Sequence, residues 1–366
     1  MGGPVPGLFA GAPQGLDAWA AYVNSKGGID GRKVVIKFVD AALNCTSYTN
    51  GIKSLAGNSF ALVGTYSLVD TCGEQTLKAN PELTDLEGAI LEPALDSYSN
   101  VFAPVATQPG DATTVYQWVK DKFGAAAVQK AASLWGASAQ FDYFEQANAM
   151  RSIGYKIIYN RGFNDLETNF TADILRMKAD GVEVVDETDN NVGDLADFLN
   201  QAAQQNFHPL AVISGTAYDP TFFKLLGNPS DAKNVVIYLG SSMYLGEDAA
   251  NVPEINVLTH WLQQTHPGAA MNIFSVDAFA AGLLFQQAME KLGSNPTRAG
   301  LQSAIRGITS FNADGLLPNE NPGGKVPAPC DVIVTTQGTK YVRTDPPNSG
   351  FLCNGTWVPY TGSGTS

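Results

Sequence analysis

Apolar runs of strand length alternate with helix-length amphipathic stretches along most of this chain. That alternation constrains the fold more than any single motif. Residues 34–40, 60–64, 89–91, 101–103, 131–135, 155–159, 182–185, 210–213 and 235–239 read as strands. Residues 48–58, 113–123, 141–153, 170–179, 195–205, 220–226, 253–264 and 276–291 read as helices. Within 113–123, for example, Val115, Trp118, Val119 and Phe123 recur at helical spacing. The pattern predicts an α/β fold whose parallel sheets are covered by helices on both faces. From residue 316 onward Pro, Gly and Asn dominate, leaving 331–335 and 340–343 as the strand candidates. At 366 residues the chain exceeds the ~250–300 that one hydrophobic core serves, so two domains are expected.

Charge narrows the partners. Twenty-two Lys and Arg against 35 Asp and Glu leave a net charge of −13, which argues against nucleic acid and anionic membrane surfaces. No apolar run reaches the ~18 residues of a transmembrane helix. Chemistry is thinly represented. There is no GxSxG elbow, no GxxxxGK[ST] phosphate loop and no HExxH zinc motif, and only three His are present. His260 and His266 fall on different faces of a helix, and His208 precedes Pro209 in a loop. The acidic run 186–189 lacks the glycine and terminal glutamate of an EF-hand loop. No catalytic residue, metal ligand or cofactor is therefore predicted. An enzyme using Glu92 or Asp189 is the rival reading.

Four cysteines, Cys45, Cys72, Cys330 and Cys353, sit in loop-like sequence without CxxC spacing. Three pairings are open. Cys45–Cys72 with Cys330–Cys353 closes the shortest loops and leaves no free thiol, whereas four reduced cysteines would fit a cytosolic protein. The paired reading predicts an oxidising, extracytoplasmic location. Residues 1–4 have neither the basic start nor the apolar stretch of a signal peptide, as in a mature chain after cleavage.

Ligands of parallel α/β sheets bind beyond the carboxyl ends of the strands. The segments that follow the predicted strands carry hydroxyls, amides and aromatics: Tyr66, Ser67, Val69 and Asp70, then Glu92. Trp135 and Ser138 follow in the next such loop, with Asp189 and Asn190, Tyr218 and Tyr244 in later ones. As a set they suggest an apolar cleft with a few polar anchors.

Residues 12–15 (Ala-Pro-Gln-Gly) are followed by Asn24-Ser25-Lys26-Gly27-Gly28-Ile29-Asp30-Gly31-Arg32. Together they strongly resemble the opening of the type I periplasmic solute-binding proteins, the branched-chain amino-acid receptors of ABC importers. Residues 169–181 resemble that family's helix before a second-lobe strand, and Asp277-Ala278 its Tyr-Asp-Ala element. Cys45 and Cys72 fall where the family often has a disulfide.

The resemblance implies two Rossmann-like lobes joined by three crossovers and closing on a ligand by hinge motion. Residues 1–108 with 240–315 would form lobe one, and 109–239 with 316–366 lobe two. It also implies a first strand ahead of the loop at residues 3–9, which the sequence does not contain. Ser67, Val69 and Asp70 would grip a ligand carboxylate, with Phe141 and Asn190 contributing from lobe two. The ammonium-binding acid expected near 215–218 is absent, and the Glu92 loop lacks the usual hydroxyls. With Phe9, Tyr66, Trp135, Tyr218 and Tyr244, these departures favour an apolar or aromatic ligand over a plain amino acid.

The implied function is delivery of that ligand to ABC permease subunits by a monomeric receptor. Any membrane attachment would come through an N-terminal lipid anchor outside this sequence. Sensory signalling on the same fold, and ordinary branched-chain amino-acid binding, are the alternatives.

Overall fold

The computed structural model describes Gly7, residues 9–105 and residues 108–362 of the chain. Most of the expected loop at 3–9, and the last four residues, lie outside that description. In chain order the elements begin with α1 (Gly11–Ser25), α2 (Cys45–Asn58), β1 (Leu62–Thr65), α3 (Glu74–Ala79), β2 (Asp85–Glu87) and β3 (Val101–Phe102). Next come β4 (Gly110–Ala112), α4 (Thr114–Phe123), β5 (Ala131–Gly136), α5 (Gln140–Ser152), β6 (Ile157–Phe163) and α6 (Thr171–Asp180). They continue with β7 (Val184–Thr188), α7 (Val192–Gln204), β8 (Ala211–Ile213), α8 (Phe222–Leu225) and β9 (Val235–Leu239). The chain ends with α9 (Pro253–Thr265), α10 (Ile273–Glu290), α11 (Arg298–Arg306), β10 (Val332–Gln337), β11 (Lys340–Asp345) and β12 (Trp357–Pro359).

Two compact units result, each discontinuous in sequence. One comprises residues 1–108 and 242–328, the other 109–241 and 329–366. Residues 316–328, expected with the second lobe, lie in the first unit. There Lys325 Nζ donates to Asp96 O at 2.6 Å and to Tyr98 O at 2.8 Å.

In the first unit, β1, β2 and β3 form a parallel three-stranded sheet in that order. Helix α10 is buried over most of its surface, including Phe279, Ala280, Leu283 and Leu284. Asn272 and Ser275 cap its start reciprocally, satisfying two N-terminal donors. A β-carbon at Gly282 would stand 2.3 Å from the Trp19 ring, so glycine there is what lets α1 seat its indole on α10.

The second unit holds a seven-stranded sheet in the order β11-β10-β9-β8-β7-β5-β6. The strands from β9 to β6 are parallel, and β10 and β11 add on antiparallel. Val184, Ile213, Val236 and Ile333 line its core against Tyr116 and Val119 of α4. Strands β4 and β12 form a separate antiparallel pair.

Two expected strands are absent. Residues 89–91 form irregular chain, while Asp85–Glu87 pairs instead. The alternation reading passes over that strand because two of its three residues are carboxylates, here buried. Residues 34–40 run without a ladder partner among the described residues, with Val35 72% and Phe38 54% exposed. A strand needs a neighbour to satisfy its backbone, and none of the described residues supplies one. Both disulfides form as preferred, Cys45–Cys72 and Cys330–Cys353, and no described cysteine is free.

Candidate functional site

The expected site residues fall in both units, and each group is described within its own unit. In the first, the chain leaves β1 into Tyr66, whose hydroxyl donates to Asp277 Oδ2 of α10 at 2.7 Å. The Tyr66 ring meets Phe9 at 5.3 Å and Phe274 at 5.2 Å, and those two meet edge-on at 5.0 Å. Phe9 and Tyr66 are thus spent on an internal three-ring cluster. Ser67 Oγ accepts the Val69 N–H at 3.1 Å, folding the loop on itself and taking up one donor expected to face a ligand. Tyr244 is buried within this unit.

Asp70 and Glu92 approach as a carboxyl pair. Glu92 Oε2 accepts the Thr71 N–H at 2.7 Å, and its acidity is strengthened despite partial burial. Asp70 is fully buried. Burial first, then the adjacent Glu92, push its carboxyl up to about 10. Asp85, which accepts from Thr65 Oγ1 at 2.8 Å, is raised by burial to about 6, and Glu87 lies well above its ordinary value for the same reason. Burial and the adjacent Glu92 thus favour the neutral form of Asp70.

In the second unit the ends of β5, β6 and β7 bring Ser138, Asp165, Asp189 and Asn190 together. The Ser138 N–H donates to Asp165 Oδ1 at 3.0 Å, and Asn190 Nδ2 to Ser138 Oγ at 3.3 Å. Gly136 makes this possible: a β-carbon there would lie 2.4 Å from Asp189 Oδ1 and 2.8 Å from Asp165 Oδ1. Asp189 pairs with Asp194. Burial, then Asp194, raise Asp189 to about 10, and burial raises Asp186 and Glu187 to about 7 and about 8.

Phe141, at the start of α5, is 43% exposed. Trp135 behaves otherwise: its ring stacks on Tyr143 at 4.9 Å and its Nε1–H donates to Asn160 at 3.0 Å. Tyr218 is buried against Tyr341 at 4.6 Å. The structure thus gathers Ser138, Asp189 and Asn190 with Phe141 nearby in the chain, and leaves Trp135 and Tyr218 in packing roles. Asp165 and Asp194 escaped the sequence reading. The first lies past the predicted end of its strand, and the second lies inside a helix. Among the described residues no group of His, Cys, Asp and Glu is arranged to hold a metal ion.

An α/β chain of two discontinuous units, each with polar loops at the carboxyl ends of parallel strands, has the architecture of a two-lobed solute receptor. The chain belongs to the periplasmic binding protein family, whose model matches residues 1–326. Its fold is that of the type I members. It resembles the substrate-binding protein LivJ of a branched-chain amino acid transporter from Streptococcus pneumoniae, solved in complex with isoleucine, at TM-score 0.74 and 13% identity over 94% of this chain and 97% of that one. A branched-chain amino acid ABC transporter protein from Thermus thermophilus, with bound valine, matches at TM-score 0.74 and 16% identity over 95% and 94%. A fatty acid ABC transporter substrate-binding protein from Thermomonospora curvata matches at TM-score 0.71 and 16% identity over 98% and 90%. Among curated proteins nothing matches significantly. No helix among the described residues is long and apolar enough to cross a membrane.

Proposed function

We propose that this chain is an extracytoplasmic receptor that captures a small carboxylic solute with an apolar body and delivers it to an ABC permease by hinge closure. The observation that carries the ligand class is the Ser138–Asn190 hydrogen bond in the second unit, in the loop that leads into α5, where Phe141 follows Ser138 by three residues with its ring substantially exposed. Hydroxyl and amide groups would fix the polar end, and the ring would cover the apolar body. Phe141 is a large apolar side chain left substantially in solvent in its own unit, which is the state expected of a contact that a ligand completes. The two disulfides support the oxidising location.

Asp165 favours a second reading, a plain branched-chain amino acid. The Asp165 carboxylate, beside Ser138, could receive an ammonium group, the role expected near Tyr218 from the sequence. Thermal shift of the whole chain against leucine, valine, benzoate, cyclohexanecarboxylate and decanoate separates the two, because a ligand that binds only the folded state raises Tm. The first reading expects a carboxylate without an amine to stabilise best, and Phe141→Ala to weaken that ligand about tenfold. Stabilisation by leucine alone selects the second reading. No shift with any carboxylate or amino acid overturns both.

A further inference from the structure

Residues 351–360 lie outside the stretch that the family model matches, which ends at residue 326, yet they are fastened along their length to the second unit. Asp331 and Leu352 exchange two backbone hydrogen bonds, at 3.0 and 2.8 Å, beside the Cys330–Cys353 disulfide. Strand β12 then pairs antiparallel with β4, and the Tyr360 N–H donates to Pro109 O at 2.9 Å. The fit is close. A β-carbon at Gly110 would stand 2.4 Å from Val358 O, and one at Gly355 would stand 2.2 Å from Thr114 Oγ1. The second unit begins at Pro109 and resumes at Pro329, so this one segment holds both places where the chain enters it.

The same segment also lies on α5. Pro359 O accepts from the Asn148 side-chain amide at 3.1 Å, and the Tyr360 ring is parallel to that of Phe144 at 6.2 Å. Phe141, Phe144 and Asn148 are spaced by three and then four residues, which sets them in one stripe along the helix. Residues 359–360 take the Phe144 and Asn148 positions, and the Phe141 ring next in the stripe stays exposed. Local sequence does little to hold that first turn, because the cap residue Ala139 supplies no side-chain hydrogen bond. Packing on the rest of the stripe is what keeps it in place.

We propose that residues 351–360 are a positioning strap that ties the Phe141 stripe of α5 to both entry segments of the second unit, with Tyr360 as its positioning residue. The inference rests on the reading of Phe141 as a ligand contact. Its physical content is preorganisation: a helix start that is already fixed leaves less ordering for the ligand to impose, and affinity rises by what is saved. Tyr360 acts through Phe144 and touches no ligand.

The parent, Tyr360→Ala and Tyr360→Phe, which keeps the ring, test this as full-length chains. Amide exchange is followed without ligand, and Kd is measured for benzoate, decanoate and leucine. Tyr360→Ala should speed exchange at residues 110–113 and 144–148 by about tenfold and leave α7 unchanged. It should also weaken whichever of the three solutes the parent binds, by about threefold to tenfold. Tyr360→Phe should match the parent in both measurements. Unchanged exchange in Tyr360→Ala overturns the proposal. Exchange that quickens equally in α7 does so too, since the ring would then serve stability alone. A looser α5 with the parent's Kd overturns the strap and leaves the ligand reading standing. If the parent binds none of the three, the ligand reading fails and the strap's role falls with it. Should Tyr360→Ala be recovered unfolded, Asn148→Ala, which removes only the bond to Pro359, is judged by the same outcomes.

Discussion

The Tyr66 hydroxyl donates to Asp277 across 2.7 Å, tying the loop after β1 to the buried face of α10. Burial, opposed by this bond, leaves the Asp277 carboxyl at about 7, and Tyr66 is itself held well above its ordinary value. Tyr66→Phe leaves a buried carboxyl without its donor. The expected loss is about 1–3 kcal/mol in urea unfolding. A variant as stable as the parent would mean that water or another donor replaces the phenol.

Burial raises Asp85 to about 6, Asp186 and Asp277 to about 7 and Glu187 to about 8, against ordinary values near 4. The folded chain therefore keeps protons that the unfolded chain releases. Stability from these groups is complete below about pH 4 and is lost as pH rises through about 6 to 8. Mutual repulsion in a chain of net charge −13 acts in the same direction. The urea midpoint should be higher at pH 5.5 than at pH 8. A midpoint that rises between those values contradicts the buried, protonated carboxyls.

Gly136→Ala places a methyl group against the carboxylates of Asp189 and Asp165. Accommodating it must move the loop that carries Ser138, at a cost of about 1–3 kcal/mol. Ligand affinity should fall along with stability, because Ser138 and Asn190 are held by that geometry. Gly162→Ala, which meets the Trp135 ring instead, should lower stability and leave affinity in place. Equal affinity in parent and Gly136→Ala would separate Ser138 from the site.

Cys45–Cys72 closes a loop of sequence separation 27 that joins the start of α2 to the turn after β1. Replacing both residues with alanine should cost about 3–4 kcal/mol by loop-closure entropy. Calorimetry with and without reductant would show it, as a drop in Tm for the parent and none for a variant lacking both pairs. An unchanged parent would mean that the thiols are not joined in solution.

Much of the fold is legible in the sequence because apolar periodicity reports burial directly. Residues 131–135 and 235–239 read as strands and are strands, since both faces of the second unit's sheet are covered and continuous apolar runs result. Asp85–Glu87 was illegible for the opposite reason: its charge hides a buried strand, and only the surrounding Thr65, Asp70 and Glu92 show how carboxyls persist there. Residues 34–40 have the strand pattern without the strand, because periodicity records what a segment suits and not whether a neighbour is present.

The candidate site divides in the same way. Ser138, Asp189 and Asn190 could be named because the ends of parallel strands are where loops converge, and their convergence on one another follows from the β5–β7 pairing. Trp135 and Tyr218 were named for their ring chemistry, and the rings turn out to be packed against Tyr143 and Tyr341.

Sequence by itself determined the α/β class and the family signature at residues 24–32, because each depends on residue type and spacing along the chain. Tertiary structure decided which carboxyls keep their protons, which aromatics are committed to packing and which of the open cysteine pairings forms. Those depend on what lies within a few ångströms of a group in space, and for Asp70 and Glu92, or Tyr66 and Asp277, that neighbour comes from a distant part of the chain.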